Sequence, residues 1–149
     1  MNLNYLKIAG CLSFSASLAH VAIIFGGPSW YRFFGAGEYM ATMAEQGLLQ
    51  PTLITLFIAA VLAVWGAFAW SGAGIFPRFP LLKLALILIT LVYCARGVLG
   101  LFAPFITDHP QVTQNSLSFW VWSSIICLVF GLVHFKGVVD KWFAPSPFN

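Results

Sequence analysis

The chain has 149 residues; 60% are hydrophobic, 17% aromatic and only 7% charged, and the formal net charge is +3. A water-soluble domain carries about 25% charged residues to cover its surface. This composition therefore excludes a soluble globular fold and a disordered chain, and the scattered basic residues form no stripe for nucleic acid.

The length allows one domain, residues 1–149, whose main solvent is the lipid bilayer. A helix crosses the hydrocarbon core with roughly 20 mainly apolar residues. Leu6–Phe25 is the first such window. It contains Ile8-Ala9-Gly10-Cys11, which has the form of a lipoprotein cleavage box. A signal peptide needs an apolar region of about 7–15 residues before its cleavage point. Only Tyr5 to Gly10 precede Cys11, and the apolar run continues to Phe25, so the span is expected to stay.

The connection from Gly26 to Gln50 is long. Ser29 after Pro28 is placed to cap a short helical turn. Ala36 to Gln46 is rich in helix formers, and Gly47 stands where a helix would stop. Trp30, Tyr31, Phe33, Phe34 and Tyr39 are side chains that a membrane interface attracts. The expected element is a short helix lying in the headgroup plane. A sharper reading makes the connection a lid, with Gly35 and Gly37 as bends that tip Glu38 inward.

Pro51–Trp70 is the second span, begun by Gln50-Pro51 and ended by Ser71-Gly72-Ala73-Gly74 and Pro77. Leu81–Ala103 is the third, between Pro80 and Pro104; Leu117–Phe135 is the fourth, with Gly137 after it. The predicted fold is an all-α membrane protein: four transmembrane helices in a bundle, with the short interfacial helix in the first outer connection.

Lysine and arginine set the orientation. Lys7, Arg78, Lys83, Lys136 and Lys141 fall on one side, against Arg32 alone on the other, which also holds Glu38, Glu45 and Asp108. Both termini are thus expected in the cytoplasm of a bacterial cell, with the chain multi-pass in its inner membrane. The same bias argues against dual-topology exporters. Cys11, Cys94 and Cys127 all lie in spans, and no C-x-x-C supports thiol redox chemistry.

In lipid, helices meet through small residues and a few polar contacts. Each span carries such a stripe at helical spacing: Gly10, Ser13, Ser17, His20; Thr52, Thr55, Ala59, Ala63, Gly66; Ala85, Ile89, Tyr93, Arg96, Gly100; and Trp120, Ser124, Cys127, Gly131, His134. A mid-span arginine costs roughly 2.5–3.5 kcal/mol to insert and usually faces the protein interior. Counting 1.5 Å per residue, Arg96 and His20 lie roughly 10 and 7 Å below the outer surface. Their stripes imply one outward-facing polar pocket with Arg96 as charge anchor, His20 as hydrogen-bonding group and Glu38 as gate or counter-charge; Tyr93, Ser17 and Trp120 complete the candidate ligand-binding set. His134, beside Lys136, is expected at the inner interface.

No catalytic residue, metal site or cofactor is assigned. His20 and His134 stand roughly 18 Å apart along the membrane normal, too far to share one haem iron. Met40-x-x-Met43 with His20 is weak as a soft-metal site, since interfacial packing explains it as well. A serine–histidine–acid set could be drawn from Ser17, His20 and Glu38, and such pairs arise often by chance. The reading favoured is a small non-enzymatic inner-membrane protein whose pocket binds a small amphipathic or anionic ligand or seats a membrane partner protein, with an oligomer left open. The alternatives are a membrane enzyme acting on a lipid-like substrate and a small transporter subunit.

Overall fold

The structure, a computed structural model, describes residues 4–144; residues 1–3 and 145–149 of the expected domain lie outside the described residues. The elements are α1 (Tyr5–Gly26), α2 (Pro28–Phe33), α3 (Glu38–Glu45), α4 (Gln50–Gly72), α5 (Leu82–Ile106), α6 (Pro110–Thr113) and α7 (Leu117–Trp142). Among the described residues there is no strand. Helices α1, α4, α5 and α7 are long and apolar enough to cross a membrane. Four such helices are the make-up of a multi-pass membrane protein.

Local chemistry explains where helices begin. Asn4 Oδ1 accepts the amides of Leu6 and Lys7 at 3.1 and 3.3 Å and caps α1. Ser116 Oγ accepts the Phe119 amide at 3.2 Å and caps α7. Pro51 sits in the first turn of α4, where its missing N–H costs no bond. Helix α2 takes Gly27 as its N-cap, and Ser29 Oγ donates back to the Gly26 carbonyl at 3.4 Å. At the end of α3, Gly47 has φ +71°, its amide bonds the Ala44 carbonyl, and Leu48 N–H reaches the Met43 carbonyl at 3.0 Å. That is a Schellman stop, and it needs the left-handed residue that glycine supplies.

Several boundaries differ from the sequence expectation, and three are informative. Helix α5 continues through Pro104 to Ile106; a proline so near the C-terminus removes one bond, too little to stop a helix already propagated. The same helix starts at Leu82, one residue past the expected start, because Leu81 takes a left-handed conformation (φ 52°) as its N-cap. Helix α7 runs on to Trp142, with Gly137 inside it. A Cβ on Gly137 would lie 2.7 Å from Leu6 Cδ2 and 3.1 Å from the Leu6 amide nitrogen, so this glycine serves close approach to α1 rather than termination.

The long helices associate as α1 with α4 and α5 with α7; the two pairs meet through α1–α7 and α4–α5. Small residues set the approach. A Cβ on Gly97 would come 2.9 Å from the Leu128 backbone nitrogen, and one on Gly131 would come 2.6 Å from Cys94 Sγ, so α5 and α7 run backbone against side-chain root. Trp70 lies over Gly10 and donates its indole N–H to the Lys7 carbonyl at 3.2 Å, tying α4 to α1. At the end away from the termini, α2 and α3 cover α1 and α4, while α6 lies beside α5. The two connections touch: Asn115 Nδ2 donates to the Gly35 carbonyl at 3.2 Å. At the termini end, Lys141 Nζ donates to the Gly72 carbonyl, capping the C-terminus of α4.

Candidate functional site

Most stripe positions are buried: Gly10, Ser13 and Ser17 on α1; Thr55, Ala59 and Gly66 on α4; Ile89, Tyr93 and Gly100 on α5; Ser124, Gly131 and His134 on α7. The remaining stripe residues, His20 and Arg96 among them, are half-buried. Polar atoms therefore run down the inner faces of the helices.

Tyr93 is the hub of this interior. Its hydroxyl shares a hydrogen bond of 3.1 Å with Ser13 Oγ on α1. Its ring stands edge-on to Trp65 of α4 at 5.0 Å and to Phe130 of α7 at 5.4 Å, and lies 5.2 Å from the His134 ring. One side chain of α5 thus touches the other three long helices. Below it, His134 is fully buried, its Nδ1–H donating to the Phe130 carbonyl at 2.9 Å. A carbonyl only accepts, so Nδ1 carries the proton and Nε2 is left with no protein partner. Helix α7 continues eight residues beyond His134, roughly 12 Å.

Arg96 turns toward α7. Its Nη2 donates to Ser123 Oγ at 3.4 Å, and Cζ stands 5.0 Å from the Trp120 ring centroid, a cation–π contact. Gly100, one turn further along α5, makes the room: a Cβ there would collide with Arg96 Nη1 and Ser124 Oγ. Both of these atoms are buried and without a hydrogen-bond partner. Trp120 covers the group and is itself held by α6, its Nε1–H donating to the Val112 carbonyl at 3.0 Å.

The remaining candidate residues are occupied elsewhere. Ser17 Oγ donates to the Ala59 carbonyl at 2.7 Å, locking α1 to α4. His20 Nδ1–H donates to the Ala16 carbonyl of its own helix at 2.8 Å. Neither bonds the other, so the drawn serine–histidine–acid set is not assembled. Glu38 is held by Arg32, which donates Nε–H and Nη2–H to its two oxygens at 2.8 and 2.6 Å and reaches Glu45 with Nη1 at 2.8 Å. These bonds hold the Glu38 carboxyl below its ordinary value and raise Arg32. The geometry thus joins Arg96 with Trp120, and Tyr93 with Ser13 and His134. It does not join Arg96 with His20 or Glu38. Met40 and Met43 lie at α3, with Met40 against the cluster of Ile23, Tyr31 and Ala41.

Sequence reading passed over Ser123 and Trp65. Ser123 precedes Ser124 on the α7 face, and the pair was the available signal. The two surface depressions of note, one of about 750 Å3 along residues 78–84 and 87 and one of about 360 Å3 between the ends of α1, α4 and α7, open at the termini end. No protein-family model matches the chain, and no curated protein or solved structure shows significant similarity to it.

Proposed function

We propose that this chain is a four-helix bundle of the bacterial inner membrane, both termini cytoplasmic, that holds a small anionic or amphipathic molecule at Arg96 from the outer side. Orientation is supported by charge: Lys7, Arg78, Lys83, Lys136 and Lys141 belong to the termini end, and Glu38, Glu45 and Asp108 to the other. Helices α2 and α3 then lie at the outer interface, where the exposed Phe33, Phe34 and Tyr39 suit headgroups.

One observation carries the binding role: Arg96 has no counter-charge among the described residues. The chain has four acids. Glu38 and Glu45 bind Arg32, Asp140 binds Lys136, and Asp108 is exposed with no ion pair to Arg96. A buried guanidinium nitrogen beside a buried serine hydroxyl, neither with a protein partner, asks for an acceptor from outside the chain. A carboxylate or phosphate oxygen is the acceptor that both donors lack, and the Trp120 face suits an attached apolar portion. The enzyme and transporter alternatives would lean on His20 or Glu38, and both have found other partners.

The test is native mass spectrometry of the protein extracted in mild detergent. Wild type is expected to carry a bound anionic mass that Arg96→Gln loses, and Gly100→Ala, whose Cβ displaces the Arg96 guanidinium while keeping its charge, loses it too. Identical spectra for the three proteins would overturn the proposal.

A further inference from the structure

At the termini end, the connection after α4 curls over the first turns of α5. It leaves an open groove of about 750 Å3 bounded by Arg78, Phe79, Pro80, Leu81 and residues 82–84, with Ile87 one turn further on. Two cations stand on its rim. Arg78 is exposed and makes no ion pair or hydrogen bond among the described residues. Lys83 is exposed as well, its ammonium 4.4 Å from the Phe143 ring centroid and without a carboxylate. The one acid at this end, Asp140, is already bound to Lys136. No side chain caps the first amides of α5. The groove floor is otherwise apolar, and Leu84 and Ile87 continue it along the helix.

Position decides what fits. Helix α5 has 25 residues, so it is roughly 38 Å long against a hydrocarbon core of about 30 Å. Its first turn therefore lies at headgroup level, while Leu84 and Ile87 lie at the top of the acyl region. We infer that this groove is a specific seat for an anionic glycerophospholipid of the phosphatidylglycerol type. Its phosphate sits between Arg78 and Lys83 over the open α5 amides, and one acyl chain runs along Leu84 and Ile87. The two cations, neither with a carboxylate, face a lipid whose single net negative charge lies on its phosphate. The inference rests on α5 spanning the membrane and is independent of the ligand at Arg96.

The experiment uses the full chain in mild detergent, titrated with phosphatidylglycerol, phosphatidylcholine or sodium phosphate and followed by native mass spectrometry. A basic group near an anionic lipid contributes on the order of fivefold in affinity. Arg78→Gln/Lys83→Gln is therefore expected to retain phosphatidylglycerol about 30-fold less well than wild type. Retention returns in Arg78→Lys/Lys83→Arg and is unchanged in Lys7→Gln, a cation of the same end outside the groove. Equal retention of phosphatidylcholine, equal binding of sodium phosphate, an equal loss in Lys7→Gln, or no recovery in the charge-keeping variant would each overturn it. A chain that stays dispersed in water without detergent would instead overturn the membrane-spanning reading itself.

Discussion

Replacing Tyr93 by phenylalanine deletes a single oxygen where the four long helices meet. The partner of that oxygen is Ser13 Oγ at 3.1 Å, on a residue with no exposed surface. Hydrogen bonds between spans contribute about 0.6 kcal/mol on average and about 1.7 at most, less than their burial suggests, because the unfolded span in lipid also finds partners. Ser13 left alone can turn to a carbonyl of its own helix, which limits the loss further. Tyr93→Phe and Ser13→Ala should each cost about 1 kcal/mol. The double variant removes donor and acceptor together, leaves nothing orphaned, and should cost about 1 rather than about 2 kcal/mol. Tyr93→Ala must cost more, because the ring also meets Trp65, Phe130 and His134. No transfer term enters, since lipid is as apolar as the interior. At about 24 cal/mol per Å3, a void of about 100 Å3 costs about 2.4 kcal/mol. The assay is reversible unfolding of the purified protein in mixed micelles, followed by tryptophan fluorescence. Additivity of Tyr93→Phe and Ser13→Ala within about 0.3 kcal/mol would refute the bond.

Gly131→Leu is expected to lower stability by about 1–3 kcal/mol, because its Cβ would stand 2.6 Å from Cys94 Sγ and 3.0 Å from the Cys94 nitrogen and force α5 from α7. Val129→Leu, on the exposed face of α7, should stay within about 0.5 kcal/mol in the same thermal melt, and equal shifts would refute close approach. The Arg32–Glu38 pair gives a pH dependence. Arg32 lowers the Glu38 carboxyl below its ordinary 4.5 in the folded chain, so the contribution of the pair is complete above that value and fades as pH falls through the depressed one. Amide exchange across residues 38–45, corrected for intrinsic rate, should stay level from neutral pH to about 5 and quicken only in stronger acid. Glu38→Gln should abolish that step, and an unchanged acid response in this variant would refute the assignment.

The residues that could be read from sequence are those whose physics is local or periodic. Spans follow from apolar length, and the small-residue stripes coincide with buried faces because helices in lipid gain little by burying large apolar groups. Depth along a span can also be counted, but the neighbour that a side chain turns to cannot. Arg96 and His20 occupy the halves of different helices that lie away from the termini end, yet Arg96 reaches toward α7 because Gly97 and Gly131 bring those backbones together and Gly100 opens a slot. Glu38 was counted toward a distant arginine while Arg32, six residues before it, offered an exposed fork at no desolvation cost. The fourth helix was expected to end early because Lys136 and Gly137 looked like the end of a span. The Lys136–Asp140 pair, one helical turn apart, and the fit of Gly137 against Leu6 instead carry α7 two turns further. The proposal of a charge anchor at Arg96 draws on both kinds of knowledge. Sequence bounds the acids at four, and the fold assigns three of them to other cations and leaves the fourth exposed with no ion pair. With no counter-ion for Arg96 among the described residues, the proposed ligand would supply the negative group.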